Sequence, residues 1–276
     1  MNINQKYKYI FIDYFDTTCF RHIHSSQIYH QWGKCMMGKF PELAVLSLDD
    51  IVALRHRAHH MVGEKYEEAP YRLTMETLYG LLIEHVKLWV DKQSFVDASL
   101  NIDISVEIGC QYGNLVIINM LRREKMRGKK IFLISDFYLP ASAYREFLVN
   151  IQCQDLFDQV YISESCNYTK ASGNMYDYVL RENGILPDDV VMIGDSKHAD
   201  VKMAKAHGLD AIWYFPLRHK LWTNFSRITK RDFSQHALVA KFNDLYHRST
   251  FGEYAAPLCY FTQRLSAEMS TVGGAN

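Results

Sequence analysis

YKYIFIDYFDT, residues 7–17, is the stretch of sequence on which the fold depends. Residues 7–12 are aromatic or aliphatic apart from Lys8 and are too few for a helix, a pattern typical of a strand buried on both faces of a parallel sheet. The run ends at Asp13. In an open α/β sheet, ligands bind just beyond the carboxyl ends of the strands. We therefore expect the Asp13 side chain to lie at such an edge.

Strand-like and helix-like segments alternate after residue 128. The short apolar runs are KKIFLIS (129–135), QVYIS (159–163), DDVVMIGD (188–195) and DAIWYF (210–215). The segments between them, ASAYREFLVN (141–150), NMYDYVLREN (174–183) and KHADVKMAKAHG (197–208), have helical spacing. Repeated strand–helix–strand order predicts an α/β fold with a parallel sheet, right-handed crossovers and helices on both faces.

Residues 22–127 have a different pattern, with apolar residues three and four positions apart. It is clearest in SLDDIVALRHRAHHMVG (47–63), TMETLYGLLIEHVKLWV (74–90) and ISVEIGCQYGNLVIINMLRREKMRG (104–128). This spacing predicts helices, the first of them capped by Ser47 with Asp50. We predict an inserted helical domain over 22–127 and a core formed by 1–21 and 128–276. Within that core, 216–276 is a C-terminal extension with one predicted helix at 234–248.

Composition and charge indicate a folded protein without a general attraction to polyanions. The 276 residues include 48% hydrophobic residues, and 31 basic side chains balance 31 acidic ones. This balance argues against nucleic acid and membrane partners, and the basic stretch 218–231 is interpreted as a solvated or packed face. A cationic leader and an apolar run of roughly 20 residues are both missing, so we expect a cytoplasmic location. The six cysteines form no CxxC pair, which argues against a zinc knuckle or a redox motif.

Charged and hydroxyl residues stand at or just after the ends of the strand-like runs. They are Asp13, Ser135, Lys170 in NYTKASG (167–173), and Asp195 with Asp200. The carboxyl ends of parallel strands share one edge of a sheet, so these side chains are expected to converge. A carboxylate nucleophile, a hydroxyl, a lysine and an acidic pair suit phosphoryl transfer through an aspartyl-phosphate. Asp13 and Asp195 would supply carboxylate ligands for Mg²⁺.

In order and spacing, these residues resemble the four motifs of the haloacid dehalogenase superfamily, over residues 8–21 and about 129–215. The resemblance implies a Rossmann-like core, Mg²⁺, and hydrolysis of a phosphate ester, with the helical insertion acting as a C1-type cap that selects the substrate. It implies a catalytic role for Asp13, Ser135 and Lys170, and metal binding by Asp13, the Phe15 carbonyl, Asp195 and Asp200. Around them, Asp16, Thr17, Asp136 and Ser196 would support the site or contact substrate. Helix capping remains an alternative role for Asp200, and a solvated turn one for Asp136.

Three segments narrow the resemblance to a subgroup. IDYFDT (12–17) and SDFYLP (135–140) are similar to the motifs FDIFDT and SDMYLP of that subgroup, and GEYAAPL (252–258) to one of its later segments. Members are often found beside glycosyltransferases of surface-polysaccharide pathways. The resemblance implies a small phosphorylated metabolite such as a sugar phosphate as substrate, with surface-polysaccharide enzymes as partners in the pathway.

Position 15 departs from the pattern of the family's phosphatases, which have a general acid/base aspartate two residues after the nucleophile. Phe15 cannot transfer a proton, a role worth about 10²- to 10⁴-fold in rate, and Asp16 is the nearest alternative. Two other functions stay open: a weak or inactive relative that binds a phosphorylated ligand or a partner enzyme, and a metal-independent dehalogenase, whose halide leaves without a proton. Asp195 and Asp200 argue for retained Mg²⁺.

The histidines offer a weaker signal. His56, His59 and His60 share one predicted helix, but without HExxH or a third fixed ligand they predict a polar face of the insertion rather than a zinc site. His22 and His24 follow the first strand closely and are candidate substrate contacts.

Overall fold

The computed structural model of the chain describes residues 3–217, 219 and 220. Its strands are β1 (Tyr9–Ile12), β2 (Cys19–Arg21), β3 (Gln111–Gly113), β4 (Lys130–Ser135), β5 (Gln159–Ile162), β6 (Val190–Gly194) and β7 (Asp210–Trp213). The predicted helix at 234–248 and the GEYAAPL segment lie outside the described residues.

Helices occupy most of the remaining chain. Between β2 and β3 lie α1 (Ile28–Lys39), α2 (Leu48–Gly63), α3 (Tyr71–Ile83) and α4 (Lys92–Cys110). After β3 come α5 (Leu115–Met126), α6 (Ala141–Asn150), α7 (Ser163–Cys166), α8 (Asn174–Asn183), a π-helical turn (Lys197–Met203) and α9 (Ala204–Ala206). Single 3₁₀ turns span Ser25–Gln27, Pro41–Val45 and Pro187–Asp189. No helix of the described part of the chain has both the length and the apolarity to cross a membrane.

The main sheet contains five parallel strands in the order β5-β4-β1-β6-β7. The central strand, β1, pairs with β4 on one side and β6 on the other, so that Ile12 lies opposite both Leu133 and Ile193. Its residues Ile10 and Phe11 are fully buried. The predicted α/β fold with a parallel sheet is confirmed, and its cause is the continuous apolar run of β1, which needs cover on both faces.

Side-chain alternation along β1 divides the core in two. Ile10 and Ile12 belong to a large cluster that includes α5 and α6, through residues such as Leu121 and Phe147. Phe11 points the other way, into a smaller cluster built on α8. Successive side chains of a strand face opposite sides of the sheet, so one short run holds both layers of helices.

The four helices α1 to α4 are inserted through a two-stranded antiparallel ribbon. In this ribbon β2 pairs with β3, with Arg21 opposite Gln111, so the chain leaves and re-enters the core at adjacent positions. The predicted capping box is confirmed: the Ser47 side chain accepts from the Asp50 N–H, and the Asp50 side chain accepts from the Ser47 N–H. The assignment of residues 22–127 to a C1-type cap stays a prediction.

The prediction of one continuous helix over 104–128 was wrong. Helix α4 ends at Cys110, β3 follows, and the Asn114 side chain caps α5 by accepting a hydrogen bond from the Ile117 N–H. The Asn114 side chain also donates to the Thr17 carbonyl at 2.7 Å. Apolar spacing runs through the break because both helices bury one face, and it therefore hides the short strand between them.

A buried ion pair stabilises the insertion. Both guanidinium NH₂ groups of Arg55 bond to the Asp103 carboxylate, at 3.0 and 2.8 Å, and neither side chain is more than 1% exposed. The Tyr71 hydroxyl donates to Asp103 at 2.7 Å, and the guanidinium lies 4.2 Å from the Trp32 ring centroid. Tyr138, in the loop after β4, lies at 3.5 Å from Asp103 and brings this network to the edge of the core.

We expect Arg55→Met to lower the free energy of unfolding by about 3–5 kcal/mol, because it leaves the Asp103 carboxylate buried without its partner. Urea unfolding followed by circular dichroism measures the change. The control is Arg72→Met, which breaks the surface pair of Arg72 with Glu76 and should change stability little. Equal losses in the two variants would contradict a special role for the buried pair.

Candidate functional site

Three carboxylates meet at the carboxyl edge of the main sheet. Asp13 follows β1, Asp195 follows the neighbouring strand β6, and Asp200 lies in the π-helical turn. One oxygen from each lies within 4.8 Å of the others. Asp13 and Asp200 are buried, and Asp195 is partly buried. Three carboxylates this close repel one another unless cations lie among them.

Lys170 supplies one such cation. Its Nζ lies 2.5 Å from Asp13 Oδ1 and 2.6 Å from Asp200 Oδ1, and the residue is 3% exposed. Burial works against the ammonium group, but Asp13 and Asp200 outweigh it and raise the pKa of Lys170 well above its usual value. Burial raises the pKa of Asp13, and the Lys170 charge opposes that rise. The predicted convergence of Asp13, Lys170 and Asp200 is present.

The loop that carries Lys170 is held from two sides. On the core side, the Asp136 carboxylate accepts hydrogen bonds from the backbone N–H groups of Lys170 at 2.7 Å and Ala171 at 3.1 Å. On the other side, Glu67 reaches from the α2–α3 connection to the Thr169 N–H at 3.2 Å and the Ser172 hydroxyl at 2.8 Å. Asp136 therefore supports the lysine loop and does not act as a solvated turn residue. Glu67 was missed altogether.

Asp200 is fixed by a close approach of the backbone. Its Oδ2 accepts from the Ser196 N–H at 2.9 Å, and a Cβ atom at Gly194 would lie 2.2 Å from that oxygen. Ser196, rather than Asp200, caps the turn, since its hydroxyl accepts from the Ala199 N–H at 3.0 Å. Only glycine at position 194 leaves room for the Asp200 carboxylate.

Ser135 ends β4, the other neighbour of β1, and its hydroxyl is buried. The Tyr144 hydroxyl donates to Ser135 Oγ at 3.1 Å. Thr17 is also buried, and its hydroxyl has no hydrogen-bond partner among the described residues. The neighbouring Thr18 hydroxyl donates to the Asp13 carbonyl at 2.7 Å.

Phe15 lies in an aromatic and cationic cluster. Its ring centroid lies 4.5 Å from that of Phe137 and 3.6 Å from the Arg21 guanidinium carbon. Arg21 in turn forms a bidentate pair with Glu107 of α4, at 2.9 and 2.8 Å. The side chain at position 15 thus packs between β2 and the loop after β4, and it offers no exchangeable proton.

Asp16 adopts the left-handed backbone conformation, with φ of 56°. Its carboxylate pairs with Lys220 Nζ and with His219 Nε2, the latter at 3.0 Å. Burial works against the charged form, but these hydrogen bonds hold the pKa of Asp16 well below its usual range. Asp16 is therefore a carboxylate engaged with two basic groups rather than a proton donor. His219 and Lys220 were missed, because the sequence presents them only as part of a basic stretch.

The other histidines lie away from this arrangement or are already packed. The His22 ring stacks on Tyr112 with centroids 4.4 Å apart, and burial lowers its pKa to about 4. His60 pairs with Glu64 along α2. Among the described residues, the trio Asp13, Asp195 and Asp200 is the group arranged to hold a metal, and the α2 histidines form no such group.

The acidic trio fits a hard divalent cation by the chemistry of its donors. Mg²⁺ is commonly bound by one or two carboxylates together with substrate phosphates and waters. Asp13, Asp195 and Asp200 would hold it, and there it would neutralise part of the negative charge that a phosphate brings.

Gly194→Ala tests the close approach at Asp200. We expect it to lower the free energy of unfolding by about 1–3 kcal/mol, because the added methyl group overlaps the Asp200 carboxylate. Gly80→Ala is the matched control: Gly80 lies within α3 with open space around it, and alanine there should stabilise the protein by up to about 1 kcal/mol. Chemical denaturation of both variants measures the difference, and a neutral Gly194→Ala would contradict the tight packing.

Part of the chain matches a known protein family. Residues 116–214 match the family of haloacid dehalogenase-like hydrolases. This span contains β4 to β7 with Ser135, Lys170, Asp195 and Asp200, whereas Asp13 lies before it. Among curated proteins, none matches the chain.

Solved structures share the fold at low sequence identity. A 2-haloacid dehalogenase from Pseudomonas syringae pv. tomato DC3000 is 16% identical, with a TM-score of 0.56 over 75% of this chain and 86% of that one. A Bacillus subtilis protein assigned as a HAD-hydrolase, bound to magnesium, is 14% identical, with a TM-score of 0.51 over 75% and 88%. A HAD phosphatase from Thermococcus onnurineus is 18% identical, with a TM-score of 0.50 over 75% and 85%.

These structures differ in chemistry, so at such identities they show the shared fold alone. The family match supports the resemblance to the superfamily over residues 116–214, whereas the C1-type cap and the FDIFDT subgroup stay predictions. Residues 116–214 thus resemble the haloacid dehalogenase-like hydrolases, and the described part of the chain has the Rossmann-like α/β fold that the solved structures share.

Proposed function

We propose that this protein is a Mg²⁺-dependent phosphatase that hydrolyses a small phosphorylated metabolite through an aspartyl-phosphate on Asp13. The observation that carries the proposal is the buried Lys170 ammonium between Asp13 and Asp200, with Asp195 within reach of both carboxylates. A carboxylate that attacks a phosphate must overcome repulsion between two anions. The lysine, together with a divalent cation that the acidic trio would hold, would supply the positive charge that this step needs.

Asp13 acts as the nucleophile. One of its carboxylate oxygens forms a bond to phosphorus while the bond from phosphorus to the ester oxygen breaks, and the bonding pair leaves with the alcohol oxygen. Burial favours the protonated, unreactive form of Asp13, and the Lys170 ammonium at 2.5 Å favours the ionised form. Water then attacks the aspartyl-phosphate, which releases phosphate and restores the carboxylate.

Ser135 and Lys170 stabilise the charge of the transferring group. Because the Tyr144 hydroxyl already donates to Ser135 Oγ, the proton of Ser135 is directed to another acceptor, and a phosphoryl oxygen is the natural one. Lys170 stays in contact with Asp13 during both steps, because Asp136 and Glu67 hold the loop that carries the lysine.

We expect phosphate release that requires Mg²⁺, stops in EDTA, and falls by about 10⁴-fold or more in Asp13→Asn. A panel of sugar phosphates, nucleotides and p-nitrophenyl phosphate, with phosphate measured directly, checks this. Asp49→Asn is the control, because it removes a carboxylate whose side chain is 88% exposed on the insertion. Chloride release from haloacids without metal, or no release by folded wild-type protein that binds Mg²⁺, would contradict the proposal.

The described residues also predict a dependence on the leaving group. Phe15 carries no proton, and the Asp16 carboxylate is engaged with His219 and Lys220. Esters whose alcohol must be protonated should therefore lose most of the roughly 10²- to 10⁴-fold that a general acid provides. We expect kcat/KM across a series of substituted aryl phosphates to rise steeply as the pKa of the leaving phenol falls, with alkyl phosphates slowest. A flat dependence would show that another group donates the proton.

A further inference from the structure

Lys220 joins two loops of the site. Its ammonium pairs with Asp16, in the turn after β1, and lies 2.8 Å from Asp195 Oδ2, after β6. The side chain is about one-third exposed, as is that of Asp16, whereas Asp195 is less exposed. Lys220 therefore bridges the turn after β1 and the loop after β6.

The neighbouring residue fastens this lysine in place. The His219 ring stacks on Phe20 of β2, with centroids 4.2 Å apart and planes inclined by 23°. Its Nε2 lies 3.0 Å from Asp16 Oδ1, and its Nδ1 lies 3.4 Å from the Tyr112 hydroxyl of β3. Stacking on one ring face and contacts at both ring nitrogens hold the His219 side chain, and they thereby fix the backbone from which the next residue, Lys220, projects.

The chain between β7 and Lys220 is fastened to the same region. The Trp213 indole N–H donates to the Asp195 carbonyl at 2.9 Å, and the Tyr214 N–H donates to the Gly194 carbonyl at 2.8 Å. The Lys220 N–H closes a helical turn onto the Pro216 carbonyl at 2.9 Å. The segment after β7 is therefore built onto the loop of the metal-binding acids.

The site contains more carboxylates than ammonium groups. Four carboxylates, those of Asp13, Asp16, Asp195 and Asp200, contact the two ammonium groups of Lys170 and Lys220. Leaving the histidine aside, four negative charges against two positive ones give a net charge of −2. One divalent cation would balance it with both lysines in place.

We propose that Lys220 is a positioning residue that links Asp16 to Asp195 and, as a tethered counter-cation, weakens the hold of the acids on a divalent cation. The inference rests on the proposed Mg²⁺-dependent function. An ammonium a few ångströms from a divalent ion lowers its affinity by about tenfold even under water-like screening, and by more when the pair is partly buried. The same charge keeps the site from becoming too negative for a phosphate.

Direct measurement of Mg²⁺ binding tests the proposal without turnover. We expect isothermal titration calorimetry to show that Lys220→Met binds Mg²⁺ at least about tenfold more tightly than the wild type, whereas Lys220→Arg keeps wild-type affinity. Lys220→Gln is the second neutral variant should the methionine variant fail to fold. Lys202→Met removes an exposed charge from the turn that carries Asp200 and should change the affinity by less than about threefold.

Thermal unfolding gives an independent readout. In EDTA the neutral variants lose the pairing of Asp16 and Asp195 and should melt below the wild type, and saturating Mg²⁺ should raise their Tm more than it raises that of the wild type. Unchanged or weaker Mg²⁺ binding in both neutral variants would overturn the role of Lys220.

Asp195→Asn separates this outcome from a failure of the proposed function. Wild-type binding that Asp195→Asn abolishes, together with unaltered affinity in the Lys220 variants, overturns the counter-cation alone. No Mg²⁺ binding by the wild type, or binding that Asp195→Asn leaves intact, overturns the proposed metal site and this inference with it.

Discussion

The arrangement of the core depends on one buried ammonium group. Lys170 lies between Asp13 and Asp200, and an ion removed from water costs several kcal/mol unless partners and hydrogen bonds replace its hydration. Several neighbouring features therefore hold the lysine and its two carboxylate partners in position. Asp136 holds the lysine backbone, Gly194 admits the Asp200 carboxylate, and the pairing of β1 with β6 sets the two acidic loops side by side.

Sequence patterns predicted the core well where hydrophobic period and length agree. The segments 141–150 and 174–183 are helices with those bounds, and each predicted strand of the main sheet is present. The pattern failed at β3, because three residues between two amphipathic helices carry no period of their own. Helix α2 ends at Gly63 without a left-handed residue, whereas Gly128, two residues after α5, has the left-handed conformation, with φ of 86°.

The site was predicted where its residues follow strands and missed where they come from loops. Asp13, Asp195 and Ser135 stand at strand ends, so parallel pairing brings them to one edge regardless of the connecting sequence. Glu67 contacts Thr169 from 102 residues earlier in the chain, and Lys220 contacts Asp195 from 25 residues later. Neither segment carries a periodic signal that would predict these contacts. Their contacts depend on how the insertion and the segment after β7 pack, which local pattern does not encode.

The ribbon of β2 and β3 has a consequence for how this protein can change over evolutionary time. Because Arg21 lies opposite Gln111, the insertion is connected to the core as one long loop whose two ends are paired. The entropy of closing a loop grows only slowly with its length, so residues can be added to or removed from the helices beyond the ribbon at little cost to the sheet. Arg21 and Glu107 set the limit of that freedom, since their ion pair connects α4, the last helix of the insertion, to β2 and to the Phe15 ring. Variation in the insertion is thus constrained at its base and permissive at its far end.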